Sequence, residues 1–406
     1  MDIPKKSSAR DLVTISVARW VLRIVQGFKI GLYVADISGA FDKVSRSLLL
    51  GKLEKLGVAP AFLDFLNSYL ESRRGYVTVE GTLSECMLMV DMVYQGTVLG
   101  PTLWNAFFSD ISTCVAEDGQ QAQMFADDLK IDSSCPVAVS NDTLRASLQD
   151  AQHRAHVWGV QNRVCFDPNK EAIKIIHPEY GDADTFVLLG TLFDCHLTMD
   201  PCLEGLLQQL RAKVFALVKI QHVYDIPSLL NMFKAHIWSK MEYYSGALLI
   251  AGEIKLRKLD KMQGGFFYKL GLDDKSAFVD YNFAPPALRR AIGMLGFLHK
   301  RILGQCHPAL MSLLPAREMS DYAFHTKQLE SHFEEVRAHR NMYNSSLYMY
   351  ILIYNRLPQE LVDCESVKVF QGKLTQLAKL RAQRDGTDEW RQSFQSCHDV
   401  VNFFYG

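Results

Sequence analysis

Three carboxylates stand in parts of the sequence where folding would normally exclude a charge. Asp36 lies near the end of the apolar run of residues 31–37, and Asp127 with Asp128 interrupts the apolar stretch of residues 123–131. A buried charge is costly unless it is paired with another charge or bound to a metal ion. Oxygen ligands suit Mg²⁺, and two such ions about 3.5–4 Å apart hold the attacking and leaving oxygens in phosphoryl-transfer enzymes. Together the three acids predict a two-metal site for phosphoryl transfer.

Taken one at a time, the same residues have simpler explanations. The simpler explanation for Asp127 and Asp128 is a turn in an exposed hairpin, where aspartate is common. For Asp36 it is a cap on a neighbouring segment. For each acid alone, the simpler explanation is favoured. A functional interpretation therefore depends on what positions the three acids together.

The elements around the acids are predicted from apolar periodicity and breakers. Asp36 ends a buried strand over residues 31–37, which follows a helix over residues 11–25 that ends near Gly27. The pair Asp127–Asp128 lies in a β-hairpin over residues 123–131, whose turn carries the carboxylates. The other elements of this part are helices at 45–56, 61–70, 101–116 and 141–164, a pair of strands at 76–80 and 86–93, and strands at 172–176 and 185–192.

From about residue 200 the strand patterns stop and helical ones follow. These helices are rich in Leu, Lys and Arg, with breaks at Pro227, Gly264–Gly265, Pro285–Pro286 and Pro315. An order of mixed elements followed by helices alone predicts an α+β domain followed by helical ones.

Composition excludes several classes of protein. The 406 residues are 48% hydrophobic and 22% charged, which is typical of a folded chain and not of a disordered one. The nine cysteines are scattered without metal-ligand spacing, so a zinc knuckle is not expected. No apolar run has the length of a membrane span, and residues 1–10 lack the apolar core of a signal peptide. The formal net charge of −1 argues mildly against a nucleic-acid enzyme, although a local basic surface can coexist with a neutral total.

Five blocks of the sequence, in order, resemble one family. They read VADISGAFDKV at 34–44, QGTVLGPTLWN at 95–105, FADD at 125–128, FDPNK at 166–170 and LLGTLFD at 188–194. The last three resemble the catalytic hairpin, the loop after it and the primer-grip hairpin. Near the other end, YNRLPQEL at 354–361 and KVFQGKL at 368–374 resemble a tail found in several lineages of the same family. The sequence thus resembles the reverse transcriptases of non-LTR (LINE-type) retrotransposons.

The resemblance implies roles for the acidic residues. Asp36 and Asp127 would hold two Mg²⁺ ions, with Asp128 as a supporting ligand, because neighbouring residues of a strand point to opposite faces. Ile37 would also belong to the metal site. Lys170 stands where the family has a lysine near the leaving pyrophosphate, which makes it a candidate general acid, although a single loop lysine is more often merely solvated.

The same resemblance implies residues that contact the substrate. Phe41 is at the steric-gate position, five residues after the first aspartate, where a flat ring would collide with a ribose 2′-hydroxyl. The alternative for Phe41 is an ordinary core aromatic. Gln95 and Gly96 would lie near the templating base pair, the glycine allowing close backbone approach. Ala126 would lie beside the substrate.

The sequence departs from the family at two places. Tyr94 stands where the family usually has Pro, and Thr97 replaces a more usual Ser. More seriously, residues 5–11 resemble only the last piece of the fingers, no endonuclease module precedes them and no RNase H-like acidic set follows the tail. The resemblance therefore implies an N-terminally truncated reverse transcriptase, such as a fragment of a decayed element or a truncated gene product.

These expectations combine into a right-hand polymerase of α+β class. Its antiparallel palm sheet backed by helices, with a remnant of fingers, covers residues 1–195, a helical thumb 196–300 and a helical C-terminal region 301–406. The expected activity is RNA-directed DNA synthesis, with Mg²⁺, dNTPs, an RNA template and a DNA primer or target as partners, no membrane, and an intracellular, nuclear location. The alternatives are an inactive nucleic-acid-binding remnant of such an element and a group II intron maturase-like protein. A different acidic-site phosphotransferase that matches by accident is remote.

Overall fold

The computed structural model describes residues 8–117, 119–317 and 326–386, together with Trp390, Ser393, Asp399 and Phe403. Residues 5–7 of the predicted fingers remnant lie outside this part. The chain divides into two compact units, which we call the sheet unit and the helical unit. The sheet unit comprises residues 29–176 and 180–182, and the helical unit comprises the described parts of residues 1–28, 177–179 and 183–406.

The sheet unit has mixed α and β structure, as the sequence predicts. Its strands are β1 (Phe28–Asp36, which begins one residue before the unit), β2 (Arg73–Gly75), β3 (Thr78–Val79), β4 (Thr82–Leu83), β5 (Met87–Met89), β6 (Gln120–Phe125), β7 (Asp128–Pro136) and β8 (Ala172–Ile176). Its helices are α2 (Arg46–Lys55), α3 (Pro60–Tyr69), α4 (Gly100–Phe108), α5 (Ile111–Val115) and α6 (Asn141–Asn162).

A four-stranded sheet in the order β6-β7-β1-β8 forms the centre of this unit. β1 pairs antiparallel with β8, from Ile30 opposite Ile176 to Val34 opposite Ala172. β6 pairs antiparallel with β7, and Phe125 lies opposite Asp128 at the turn. β1 is buried along nearly its whole length, because both its faces are covered.

Helices pack on this sheet and complete its core. α6 contacts β7, β8 and α5, while α2 contacts α3 and α4. Ser140 caps the start of α6, accepting a hydrogen bond from the Thr143 backbone N–H at 3.1 Å. The core between the layers includes Tyr33, Trp104, Phe107 and Trp158. An antiparallel sheet backed by helices was predicted, and the α+β class is confirmed.

Four predicted features differ from the structure, one of them the helix break expected at Gly264–Gly265, which lies inside the continuous helix Glu253–Leu270. The helix expected over 101–116 is two helices, and the break between them is held by Lys52, whose ammonium donates to the Phe107 carbonyl at 2.7 Å and to Asp110 Oδ1 at 2.8 Å. The strands expected at 76–80 and 86–93 form two short ladders, β2 with β5 and β3 with β4. The strand expected at 185–192 is a hairpin that turns at Leu189 and Gly190, both of which have positive φ.

In the helical unit, the hairpin of β9 (Thr185–Leu188) and β10 (Thr191–Asp194) accompanies a long series of helices. The helices are α1 (Ala9–Val25), α7 (Asp200–Lys219), α8 (Ile226–Phe233), α9 (Ser239–Tyr243), α10 (Ser245–Leu248), α11 (Glu253–Leu270), α12 (Asp274–Tyr281), α13 (Pro286–Ile302), α14 (Pro308–Leu313), α15 (Arg340–Asn344), α16 (Leu347–Tyr354), α17 (Gln359–Val362) and α18 (Val367–Arg384). Within the described ranges, no helix combines the length and the apolar character that crossing a bilayer needs.

Helix α1 lies in the interior of the helical unit. Its side chains are buried over most of its length, and Trp20 packs edge-on against Phe186 and Phe193 of the β9–β10 hairpin. On another side of α1, Thr14 faces Gly246 of α10 so closely that a Cβ built on that glycine would lie 1.9 Å from Thr14 Oγ1. The close approach of α1 and α10 therefore requires a residue without a side chain at position 246.

A Gly246→Ala substitution should consequently destabilise the protein, by about 1–3 kcal/mol, because the added methyl group forces α1 and α10 apart. A matched control is Gly205→Ala in the interior of α7, where nothing lies within 4 Å of the added Cβ. That control should stabilise by about 0.5–1 kcal/mol through helix propensity alone. Denaturant unfolding of the two variants measures both effects. Equal effects of the two substitutions would contradict the packing of α1 on α10.

Candidate active site

The end of β1 carries the first predicted acid, Asp36. Its residue is 7% exposed, and its carboxylate binds the ammonium of Lys170 in a short ion pair. The loop that brings Lys170 there is hydrogen-bonded to the strand end, because the Asp167 N–H donates to the Asp36 carbonyl and the Ser38 N–H donates to the Cys165 carbonyl, both at 2.9 Å. Two parts of the chain 134 residues apart thus meet at one ion pair.

The turn of the β6–β7 hairpin carries the other two acids. Ala126 and Asp127 form the turn, and Asp128 begins β7. Ala126 has a positive φ of 54°, in the left-handed region, and its carbonyl accepts a hydrogen bond from the Trp104 indole N–H at 2.8 Å. An alanine in this conformation is strained, and the bond from Trp104 helps to hold the turn in place.

Asp127 and Asp128 lie close enough to Asp36 for its charge to raise their pKa values. Burial, followed by the charge of Asp36 and a hydrogen bond with it, raises the pKa of Asp127. Burial, followed by the charges of Asp36 and Asp127, raises the pKa of Asp128 to about 6. The charge of the Lys170 ammonium acts in the opposite direction and lowers the pKa of both Asp127 and Asp128. We call Asp36, Asp127, Asp128 and Lys170 the acidic cluster.

Lys170 is held by its partner and not by packing. Its side chain is 61% exposed, whereas that of Asp36 is 10% exposed. The hydrogen bond to Asp36 and the charge of that carboxylate raise the pKa of Lys170, so the ammonium form persists beyond neutral pH. A long, exposed and protonated side chain at the edge of an acidic cluster can carry a proton or an anion to it.

Phe41 belongs to the same region through its contact with Trp104. The rings of Phe41 and Trp104 stack with centroids 5.8 Å apart, and a Cβ built on Gly100 would lie 3.5 Å from the Phe41 ring. The Phe41 carbonyl accepts a hydrogen bond from the Val93 N–H at 2.8 Å. Trp104 therefore connects the predicted steric gate with the turn at Ala126.

The loop before α4 carries Gln95 and Gly96, both of which are exposed. Gly96 has φ +78°, and nothing lies within 4 Å of the position that a Cβ would occupy. The loop is held from behind, where Tyr94 donates to the Glu71 carbonyl at 2.8 Å and the Arg73 guanidinium stands 3.9 Å over the Tyr94 ring. Tyr94, the departure from the family, is thus an anchor of this loop.

Two details of the predicted metal site need correction or addition. The argument that Asp127 and Asp128 point to opposite faces of a strand does not apply, because Asp127 lies in the turn and only Asp128 is in β7. Ile37 is 2% exposed with an apolar side chain, so only its backbone oxygen could serve as a ligand. The roles of these residues remain predictions.

Trp104 is the residue of this site that sequence reasoning missed. It stands inside the QGTVLGPTLWN block, on the helix predicted over residues 101–116, and no role was assigned to it from the sequence. The available signal was the indole N–H, since a buried tryptophan usually places that donor on a partner. Here the partner is the Ala126 carbonyl in the turn of the β6–β7 hairpin.

Comparison with known families identifies the unit that carries this cluster. Residues 19–174 match the family described as reverse transcriptase (RNA-dependent DNA polymerase). That range contains all of the predicted site residues from Asp36 to Lys170. The predicted palm sheet and its helices therefore have the fold that the family implies.

Individual relatives are polymerases of insect mobile elements. The chain is 33% identical over 132 residues to the RNA-directed DNA polymerase from mobile element jockey of Drosophila funebris, covering 31% of this chain and 14% of the relative. It is 42% identical over 76 residues to the probable polymerase from transposon BS of Drosophila melanogaster, covering 19% and 8%. It is 26% identical over 248 residues to that from transposon X-element of the same fly, covering 56% and 27%. The chain thus aligns with less than a third of each relative, and it carries a reverse transcriptase domain related to the RNA-directed DNA polymerases of non-LTR mobile elements.

Proposed function

We propose that this chain catalyses RNA-directed DNA synthesis, adding nucleotides from dNTPs to the 3′ end of a primer on an RNA template. The observation that carries the proposal is the acidic cluster, where Asp36 meets Asp127, Asp128 and Lys170 at one end of the sheet. The jockey, BS and X-element relatives, whose names describe RNA-directed DNA polymerases, support the same reaction.

The acidic cluster fits a site for two Mg²⁺ ions. Burial, and after it the charge of Asp36, raises the pKa of Asp127 and Asp128, and a divalent cation bound there would favour their ionised forms, which are the forms that bind metal. Asp36 and Asp127 would hold the ions, with the backbone oxygen of Ile37 and the carboxylate of Asp128 in support. When bound, the ions would neutralise charge on the transferred phosphate and on the attacking and leaving oxygens.

The reaction transfers a nucleotide to the primer, with Lys170 as the side chain that supplies a proton. The primer 3′ oxygen forms a bond to the α-phosphorus, and the bond from that phosphorus to the bridging oxygen of pyrophosphate breaks. The 3′-hydroxyl proton goes to solvent, and Lys170 gives its proton to the leaving pyrophosphate, which its exposed position allows.

Substrate contacts follow from the residues around the acidic cluster. Phe41 would face the sugar of the incoming nucleotide, and Ala126 would lie beside it. Gln95 and Gly96 would contact the templating base pair. Both residues are exposed, and nothing lies within 4 Å of the position that a Cβ would occupy at Gly96. Within the helical unit, residues 196–300 would act as the thumb that holds primer and template, and residues 301–406 as the C-terminal region.

Incorporation of a labelled dNTP on a primed RNA template with Mg²⁺ tests this function. The chain should extend the primer, and Asp127→Asn should lower the rate by at least roughly 10²–10³-fold, because one ligand of the reacting centre is lost. Asp150→Asn, an exposed acid on α6, is the matched control and should leave the rate unchanged.

Two other outcomes would contradict the proposal. Tight binding to the primed template without extension by any variant would assign the chain to the alternative, a nucleic-acid-binding remnant. Equal extension by the chain and by Asp127→Asn would mean that the acidic cluster is not the reacting centre.

A further inference from the structure

Glu171, the residue after Lys170, is a nearly buried carboxylate that the reaction as described does not use. Its side chain is 10% exposed. Its Oε1 accepts a hydrogen bond from the Tyr33 hydroxyl at 2.5 Å and lies 2.7 Å from His156 Nε2. Two different elements therefore converge on one carboxylate oxygen, since Tyr33 is on β1 and His156 is on α6.

The Tyr33 hydroxyl is a dedicated donor in this arrangement. Tyr33 is completely buried, and its pKa is raised far above its ordinary value by burial and then by Glu171, so the hydroxyl keeps its proton. Leaving a buried hydroxyl without a partner costs free energy, so the contact between Tyr33 and Glu171 is well maintained.

The other partner, His156, also connects Glu171 with the beginning of the same loop. Its ring stacks on Phe166 with centroids 5.7 Å apart and an interplanar angle of 9°. Phe166 forms a β-bridge with Ile37, the residue after Asp36. Both ends of the loop at residues 166–171 are thus attached to β1, the strand that carries Asp36.

The loop between these attachments is itself hydrogen-bonded. The Lys170 N–H donates to the Asp167 carbonyl at 2.9 Å, and the Asn169 N–H donates to Asp167 Oδ1 at 3.0 Å. The Lys170 side chain, by contrast, is mostly exposed, so packing restricts its rotamers only weakly. Its position at Asp36 therefore depends on the backbone from which it projects.

From this arrangement we infer that Glu171, held between Tyr33 and His156, is the positioning residue that fixes the backbone of Lys170 so that its ammonium reaches the acidic cluster. The position of Lys170 is inferred from these contacts alone. Its consequence for catalysis rests, in addition, on the proposed function. A merely structural role of Glu171, as partner of the buried Tyr33 hydroxyl, is the alternative that an experiment must separate.

Chemical labelling of lysines in the metal-free protein makes that separation. Brief acylation followed by mass spectrometry measures the reactivity of Lys170, with exposed Lys55 on α2 as the internal reference. Glu171→Ala and Tyr33→Phe should each raise the Lys170 rate relative to Lys55 roughly fivefold, because the loop is released at one end. Glu171→Gln keeps an oxygen acceptor for Tyr33 and His156. Its Lys170 acylation rate relative to Lys55 should therefore stay within about twofold of the wild type.

A destabilised variant distant from the loop controls for general loosening. Leu53→Ala removes a buried side chain of α2 in the same unit and should leave the relative Lys170 rate unchanged. An unchanged rate in both Glu171→Ala and Tyr33→Phe overturns the inference. An equal rise in Leu53→Ala also overturns it, because loss of stability alone would then explain the change.

Steady-state kinetics tests the catalytic consequence. Glu171→Ala should lower kcat for primer extension roughly tenfold or more with little change in KM for the dNTP, and it should cost nothing further in a Lys170→Ala background. A normal kcat together with a more reactive Lys170 overturns the catalytic part. Because labelling needs no substrate, a chain that does not extend primers would count against the proposed function while the labelling still decides the position of Lys170.

Discussion

Without divalent metal at pH 7, an Asp128→Asn variant should unfold several degrees above the wild-type protein. Asp128 has a pKa of about 6 in the folded chain against an ordinary value of 3.8, chiefly through burial and then through Asp36 and Asp127. Full conversion of that difference gives about 3 kcal/mol, and solvent screening of a partly exposed group reduces it to about 1–2 kcal/mol. A gain of this size corresponds to roughly 2–8 °C for a unit of this length. Calorimetry or fluorescence-monitored melting measures it.

The pH dependence of this difference has a definite sign. A carboxyl group whose pKa is raised on folding binds its proton more tightly in the folded chain than in the unfolded one. Its ionisation therefore destabilises the fold fully above about pH 6, and the penalty disappears as the pH falls toward 3.8. The advantage of Asp128→Asn should accordingly shrink when the melting experiment is repeated at pH 5.

Magnesium should stabilise the wild type and so narrow its difference from Asp128→Asn. A cation that binds only the folded chain at ten times its Kd adds about 1.4 kcal/mol of stability, and removing one carboxylate should abolish most of that gain. Asp150→Asn, an exposed acid with no part in the acidic cluster, should behave as the wild type in both conditions. Identical melting of wild type and Asp128→Asn without metal would show that the ionised Asp128 carboxylate does not destabilise the fold.

The acidic residues could be located from sequence because local rules govern them. Residues 30–35 of β1 form an apolar run that ends at Asp36, and the β6–β7 hairpin has apolar residues on both sides of its acidic turn, Met124 and Phe125 before it and Leu129 after it. Such patterns predict the type of each element well and its ends less well, as the observed bounds of β1 and α6 illustrate.

The contacts between distant segments could not be predicted in this way. The ion pair of Lys170 with Asp36 and the hydrogen bond of Tyr33 with Glu171 join residues more than 130 positions apart. Periodicity says which residues are buried but not which buried residues meet. The break between α4 and α5 has the same origin, because it depends on the Lys52 ammonium, which comes from a different helix.

Replacement of Phe41 should relax the choice of sugar more than it weakens nucleotide binding. Phe41 is half-buried, and its ring stacks on Trp104. A large ring supported by this stacking would collide with a ribose 2′-hydroxyl, whereas the methyl group of alanine leaves room for it. Phe41→Ala should therefore raise the efficiency for ribonucleotides relative to deoxynucleotides by roughly 100-fold.

Single-nucleotide insertion with matched dNTP and NTP pairs measures this ratio. Phe41→Tyr keeps a flat ring against Trp104 and should retain the wild-type preference for deoxynucleotides. Because Trp104 also donates to the Ala126 carbonyl, some loss of dNTP insertion is expected in Phe41→Ala, through a looser catalytic turn. That loss should be equal for both sugars, so it cancels in the ratio. A ratio that stays at the wild-type value in Phe41→Ala would make Phe41 an ordinary core aromatic, and sugar selection would then have to come from another part of the site.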